Sequence, residues 1–275
     1  MRNQTLMLFL LGTLLSMFCF QACEESLAED VRTNVSVTSE ILLGQAVYHH
    51  ACLLVDEAAR DSLLLASGTA LIGGALVTAG PTDYSFLISF GDSNIMCTDG
   101  LVRRGSMRAD FPTGYLGDSL FLIIRFQDYY VDDKRVEGEL SITSGSLAFD
   151  NPWNVRMQID NGKLGEVPEI ANWNADITWS WFKGMNTPFD ILDDSVMILS
   201  DSRYYGRSVS GIDWNANAKE PLSMGRPCPW ISSGVLSLDM PALFIRFGSV
   251  TYGRGECDAR VDLYFNGETI SFYLD

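Results

Sequence analysis

The chain has 275 residues, 47% of them hydrophobic, with 19 Lys and Arg against 35 Asp and Glu for a net charge of −16. That balance excludes wholesale disorder, and so acidic a surface repels phosphate backbones and anionic lipid headgroups, which argues against nucleic acid as a partner. Any hold on a membrane must then come from a lipid anchor.

The first element is a leader. Arg2 supplies a positive n-region, Leu6 to Phe20 an apolar run, and Ala22 a small residue before Cys23. This run is short of the roughly 20 apolar residues a spanning helix needs. Phe20-Gln21-Ala22-Cys23 resembles a bacterial lipobox, departing from it at Phe20 and Gln21, and implies a signal peptide over 1–22 with Cys23 as the lipid-bearing residue. Ordinary secretion with cleavage near Ala22 is the other reading; both place the chain outside the cytoplasm. Residues 23–35, with Glu24, Glu25, Glu29 and Asp30, read as an acidic tether and are similar to the acidic surface-export signals of Bacteroidota lipoproteins. The expected location is the cell envelope, as an outer-membrane lipoprotein on the periplasmic face or the cell surface.

Residues 36–67 carry helix signals: Thr38 or Ser39 as N-cap, then Ile41, Leu42, Val47, Cys52, Val55, Ala59 and Leu63 at mixed spacings of three, four and five. Gly68, Gly73, Gly74, Gly80 and Pro81 break the pattern, so 68–83 is expected to be a glycine-rich linker.

From 84 to 275 the period becomes two. Val136, Leu140 and Ile142 oppose Glu137, Glu139 and Thr143; Val155, Met157 and Ile159, then Ile177, Trp179 and Trp181, then Val261, Leu263 and Phe265 repeat the alternation. One-sided strands without intervening helices predict an all-β domain: an antiparallel meander of about eleven to thirteen strands forming a sandwich or a partly open barrel. "SLFLIIRF", ending at Phe126, is continuous and predicts a central strand buried on both faces. Asn161-Gly162 and Asn266-Gly267 predict hairpin turns, with Asp132-Asp133 a third. "FLISFGDSNIMCTDG" and "LFIRFGSVTYGRGECD" echo one another as two hairpins of one pattern, by duplication or by common use.

With Cys19 in the leader and Cys23 lipidated, Cys52, Cys97, Cys228 and Cys257 remain, in three possible pairings. Cys228 and Cys257 each precede a predicted strand, two apart in the meander, so a Cys228–Cys257 disulfide is expected; the other reading keeps every thiol reduced and buried. No CxxC occurs, so metal binding is not expected, nor does any motif require a cofactor.

"CTDGLVRRGSM", "FQDYYVDDKRVEG", "NPWNVRMQIDNGK", "CPWISSG" and "GECDARVDLYFNGETISF" resemble the recurring blocks of uncharacterised β-rich lipoproteins of Bacteroidota. The resemblance runs from about Phe86 to Leu274. Pro229 stands where that family commonly has Arg. It implies an envelope lipoprotein without established catalytic residues.

His49 and His50 are the only histidines, adjacent on the predicted helix, about 100° apart and outside the β domain, so they read as solvent-exposed and serve neither a triad nor one metal. Acids are plentiful: Asp128, Asp132, Asp133, Glu137, Glu139, Asp190, Asp193 and Asp194 could supply the carboxylate pair of a glycoside hydrolase, though turn and capping roles suit them better. Aromatic residues are the stronger clue. Trp153 follows a proline, Trp214 sits between Asp213 and Asn215, and the Tyr129-Tyr130 pair must send one ring to each face, so Trp153, Trp214, Tyr129 and Tyr130 are the expected ligand-binding residues. The expected function is a non-enzymatic envelope lipoprotein that binds a glycan or protein or builds the envelope, with a two-carboxylate, carbohydrate-active hydrolase as the alternative.

Overall fold

A computed structural model of the chain describes residues 2–80, 85–111, 115, 120–144, 152–184, 186–226 and 228–274, with side chains from residue 29 onward. Cys23 therefore lies outside the described side chains. Among the described residues, no helix is long and apolar enough to cross a membrane.

Among the described residues, helix α1 (Arg2–Arg60) precedes a short helix α2 (Ser62–Ser67), and fifteen strands follow. They are β1 (Thr69–Ile72), β2 (Ala75–Ala79), β3 (Ser85–Met96), β4 (Val102–Asp110), β5 (Phe121–Val131), β6 (Lys134–Thr143), β7 (Trp153–Glu166) and β8 (Glu169–Lys183). The second half contributes β9 (Ser195–Ile198), β10 (Arg203–Arg207), β11 (Asp213–Gly225), β12 (Ser233–Asp239), β13 (Phe247–Arg254), β14 (Arg260–Phe265) and β15 (Glu268–Tyr273). All pairings are antiparallel and follow chain order, except that β10 joins β8 to β11 while β9 bridges β8 and β11 further along. The all-β antiparallel architecture with an N-terminal helix is as the residue alternation predicts, and it suits a sandwich or partly open barrel.

What the alternation does not reveal is where the helix goes. From Val37 to Arg60 nearly every side chain of α1 is buried, on all sides. A helix buried nearly all round belongs inside a protein, and this one packs against strands from distant parts of the sheet. Its partners come from widely separated strands. Tyr48 donates to the Glu137 carbonyl at 2.8 Å, Trp173 Nε1 donates to the Ile41 carbonyl at 3.1 Å, and the Tyr252 hydroxyl bonds Gln45. Tyr48 also stacks on Trp173, with ring centroids 5.0 Å apart. Gly44 makes this approach possible, since a Cβ there would fall inside the Trp173 indole.

Several expectations are corrected. The helix does not start at Thr38 or Ser39: Thr38 is buried and Ser39 Oγ bonds the Val35 carbonyl one turn back. The 23–35 tether is helical, and its end is docked, Asp30 accepting from Phe244 N at 2.9 Å and Asn34 donating to the Ile245 carbonyl at 2.7 Å. Residues 69–79, within the expected linker, form the β1–β2 hairpin, with Gly73-Gly74 (φ 59° and 95°) as its two-residue turn. β5 is one-sided after all: Phe121 is exposed and Ile123 half-exposed, while Leu122 and Ile124 point inward.

The turn signals divide. Asp132-Asp133 and Asn266-Gly267 take positive φ at both positions and close the β5–β6 and β14–β15 hairpins. Asn161-Gly162 does not turn the chain. Asn161, at φ 54°, makes a bulge within β7, facing the register shift at Gly138 of β6; Gly162 has no Cβ to collide with the Trp173 carbonyl. The turn comes instead at Val167-Pro168, a cis peptide bond. The echoing segments differ too: Phe90-Gly91 lies inside β3 at a register shift, whereas Phe247-Gly248 opens β13.

Candidate functional site

One stripe of α1 stays partly accessible. Ser36, Glu40, Leu43, Ala46, Leu54 and Glu57 recur three to eight residues apart on one side of an otherwise enclosed helix. Cavities open along that side. One, of about 640 Å³, lies by Ser36, Glu40 and Leu43 beneath the Val167-Pro168 turn. A second, of about 380 Å³, has His50, Leu53, Leu54 and Glu57 as its floor. Its walls are Gly73, Thr98, Asp99 and Arg103 on one side and Ile191, Leu192, Arg226, Cys228 and Pro229 on the other. This volume lies within the range of about 300–1,000 Å³ typical of small-molecule sites.

The second cavity is the better site, because its polar groups converge. Asp99 takes both guanidinium arms of Arg103 at 2.6 and 2.5 Å, and Arg103 Nε donates to the Tyr129 hydroxyl at 3.0 Å. Burial pushes the Asp99 carboxyl up, but Arg103 outweighs it and holds Asp99 below the ordinary carboxylate range. Opposite, Arg226 donates to the Leu53 carbonyl at 2.7 Å and pairs with Glu57 at 3.4 Å. Burial raises the Glu57 carboxyl despite that arginine.

His50 sits between the two walls. Its Nε2 lies 2.7 Å from the Pro229 carbonyl, and only an N–H can face a carbonyl there, so Nε2 carries the proton. Burial lowers the imidazole pKa against the pull of Asp99, leaving the ring neutral. Nδ1 is then a bare acceptor, without a hydrogen-bond donor among the described residues and 3.5 Å from the Asp99 carboxylate. A bare nitrogen and a carboxylate already held by Arg103 thus lie side by side next to the cavity.

The rim is fixed from behind. A disulfide joins Cys228 to Cys257, tying the β11–β12 loop that carries Pro229 to the β13–β14 loop. Cys52 and Cys97 are free and buried.

Below Glu57 the helix ends in a second charged cluster. Arg60 binds Asp194 through both arms at 2.7 and 3.2 Å, lies 3.5 Å from Asp56, and donates from Nε to the Pro188 carbonyl at 2.7 Å. Asp56 receives the Tyr115 hydroxyl at 2.6 Å and lies 3.7 Å from Arg226. This cluster fastens the helix end to the loop after β8.

The predicted site residues are mostly elsewhere. Trp153, Trp214 and Tyr129 are 1%, 2% and 1% exposed, so they belong to the core rather than to a binding face. Parity could have placed two of them: Trp153 shares the inward face of Val155 and Met157, and Trp214 that of Ala216 and Ala218. Tyr130 alone faces outward, beneath the Arg104 guanidinium at 3.8 Å and donating to Glu166 at 2.8 Å. His49 and His50 are buried, not solvent-exposed. The acids are engaged at the surface: Asp128 with Arg135, Asp132 with Val102 N, Asp133 with Arg104 and Asn94, Glu137 with Lys163 and Arg135, and Glu139 with Arg125. Asp190 caps Leu192 N, Asp193 accepts from Thr187, and Asp194 holds Arg60. The residues that do converge, His50, Glu57, Asp99 and Arg226, come from the helix and from two loops that the chain order separates widely. Among the described residues no cluster of three or more His, Cys, Asp or Glu is arranged to hold a metal.

His49 provides a measurable consequence. Its ring packs edge-on against Trp179 at 5.2 Å, and burial, with His50 adding to it, pushes its pKa down to about 3. The folded chain therefore binds fewer protons than the unfolded one below the ordinary histidine pKa of about 6.5, and stability falls as pH falls through that window. Acidification from pH 7 to pH 5 is expected to destabilise the wild type by about 2 kcal/mol more than His49→Gln. Urea unfolding of both proteins at the two pH values measures this difference; equal pH dependence would contradict the burial of a neutral ring.

No protein-family model matches the chain, and no curated protein or solved structure is significantly similar to it.

Proposed function

We propose that the chain is a cell-envelope lipoprotein of the β-rich Bacteroidota type, anchored through Cys23, with a non-enzymatic β domain that binds a small hydroxyl-rich ligand, a saccharide unit, at His50. The leader pattern and the motif blocks support the first part of this reading. The second rests on one observation: His50, Glu57, Asp99 and Arg226 bring polar groups to one open cavity, beside which the buried, bare Nδ1 of His50 lies 3.5 Å from the ionised Asp99. An unpaired buried acceptor is costly, and since Asp99 is already held by Arg103, Nδ1 is the atom that calls for an O–H or N–H donor, which a small shift of the ring would let a ligand supply from the cavity. A saccharide brings several hydroxyl donors, and its ring faces suit the apolar walls of Leu53, Leu54, Ile191 and Leu192.

The test is a titration of the protein against mono- and disaccharides by calorimetry, beside His50→Phe, which keeps a ring but loses Nδ1. Wild type is expected to bind at least one sugar and the variant about 1–2 kcal/mol more weakly, both proteins still unfolding cooperatively. Equal affinity in both proteins, or no sugar bound, would sink the ligand assignment.

One observation favours the hydrolase reading: Glu57 and Asp99 line the same cavity with their carboxyls shifted in opposite senses, as an acid and a base require. Against it, each carboxylate is already paired with an arginine. Turnover of chromogenic glycosides, abolished by Glu57→Gln, would reverse the preference.

A further inference from the structure

The loop between β12 and β13 includes the uncharged run Pro241-Ala242-Leu243-Phe244, whose last ring is 84% exposed. Phe247, three residues on, is 64% exposed. Two largely exposed rings three residues apart on so acidic a protein need an explanation, because single exposed apolar residues are common whereas clustered ones mark contact surfaces.

The backbone beneath the rings is unusually well provided for. Phe244 N and Ile245 N both donate to Asp30, at 2.9 and 3.2 Å, and the Ile245 carbonyl accepts from Asn34 at 2.7 Å. Met240 N donates to the Arg246 carbonyl at 2.9 Å and Leu243 N to the Met240 carbonyl at 3.0 Å. Peptide groups satisfied in this way can leave water without losing hydrogen bonds, which eases entry into a lipid interface. Arg246 completes the pattern. It lies 4.7 Å from the Phe247 ring centroid and pairs with Asp239 at 2.6 Å, so its charge is balanced where a zwitterionic headgroup would meet it.

Position decides the partner. Asp30 is seven residues after Cys23 on the same helix, a rise of about 10 Å, and even a fully extended chain would span no more than about 25 Å. A lipid on Cys23 therefore brings Phe244 to the bilayer that the lipid enters. We infer that the 241–247 loop is a second membrane contact, inserting Phe244 and Phe247 into the headgroup–acyl boundary and so fixing the orientation of the β domain on the membrane. This inference rests on the lipoprotein reading.

The test uses full-length protein made in a host that processes lipoproteins and reconstituted in phosphatidylcholine vesicles with or without brominated acyl chains. Phe244→Trp and Phe247→Trp each add one reporter to a background of core tryptophans. Mass spectrometry of the mature amino terminus runs alongside. With Cys23 acylated, brominated lipid should remove most of the emission that each new tryptophan adds, leaving the wild-type signal little changed. An acylated protein whose new tryptophans are not quenched overturns the loop contact and leaves the lipoprotein reading standing. Quenching in a protein without an acyl chain supports the contact and removes the lipid anchor; neither acylation nor quenching removes both.

Discussion

Replacing Asp194 by alanine is expected to destabilise the protein by about 3–5 kcal/mol, which for a domain of ordinary stability leaves little margin. The reason is Arg60, whose side chain is 1% exposed and whose charge is met chiefly by Asp194 through both arms. Without that carboxylate, the guanidinium keeps only Asp56, at 3.5 Å, and the Pro188 carbonyl. Asp56 cannot take over fully, since it already serves Tyr115 and Arg226. The double change Arg60→Met with Asp194→Leu removes both charges together and is expected to recover much of the loss, because a buried pair gains little over apolar residues of similar size. Denaturant midpoints for the two variants make the comparison; a single variant as stable as wild type would mean that the helix end is wet and the cluster exposed.

The second large effect has an unusual sign. In an exposed helix, Gly→Ala is stabilising by about 1 kcal/mol. Gly44→Ala is expected to cost about 2 kcal/mol instead, because the new methyl would overlap the Trp173 indole that bonds the Ile41 carbonyl. Retreat of the ring is blocked on its other side, where it meets Tyr204 at 5.4 Å and Trp214 at 6.3 Å. Combining Gly44→Ala with Trp173→Leu should reverse part of that penalty, and calorimetric midpoints of the three proteins would reveal the coupling. A stabilised Gly44→Ala would place the helix away from β8.

These effects depend on a helix whose place the alternation of strand residues could not disclose. The β domain itself was legible wherever one strand face met water. Lys134–Thr143 alternates inside and outside as its residues suggest, and the β5–β6 and β14–β15 turns lie where Asp-Asp and Asn-Gly indicate. Cys228 and Cys257 precede β12 and β14, on either side of β13, and the disulfide follows from that placing.

Legibility failed where one local signal serves two structures. Asn161-Gly162 offers the left-handed residue and the missing Cβ that a hairpin needs, and a bulge needs the same two things. Gly73-Gly74 marked a break, yet two glycines are also the shortest turn between β1 and β2. The mixed spacings of Ile41, Leu42, Val47 and Cys52 were the trace of a helix buried on nearly every side, and no stripe on such a helix tells it which strands it will meet. The cavity was hidden for that reason: His50 and Glu57 acquire their meaning only from Asp99, Arg226 and Pro229, which the fold, not the local sequence, brings to them.

Hydrogen exchange of the intact protein tests the central claim most directly, that the second half of α1 is the core around which the sheet is built. Amides of Ile41 to Ala59 are expected to exchange as slowly as those in the middle of β7 and β8, and to be released with them in one transition as denaturant is added. Early exchange along that helix while β7 and β8 remain protected would contradict it.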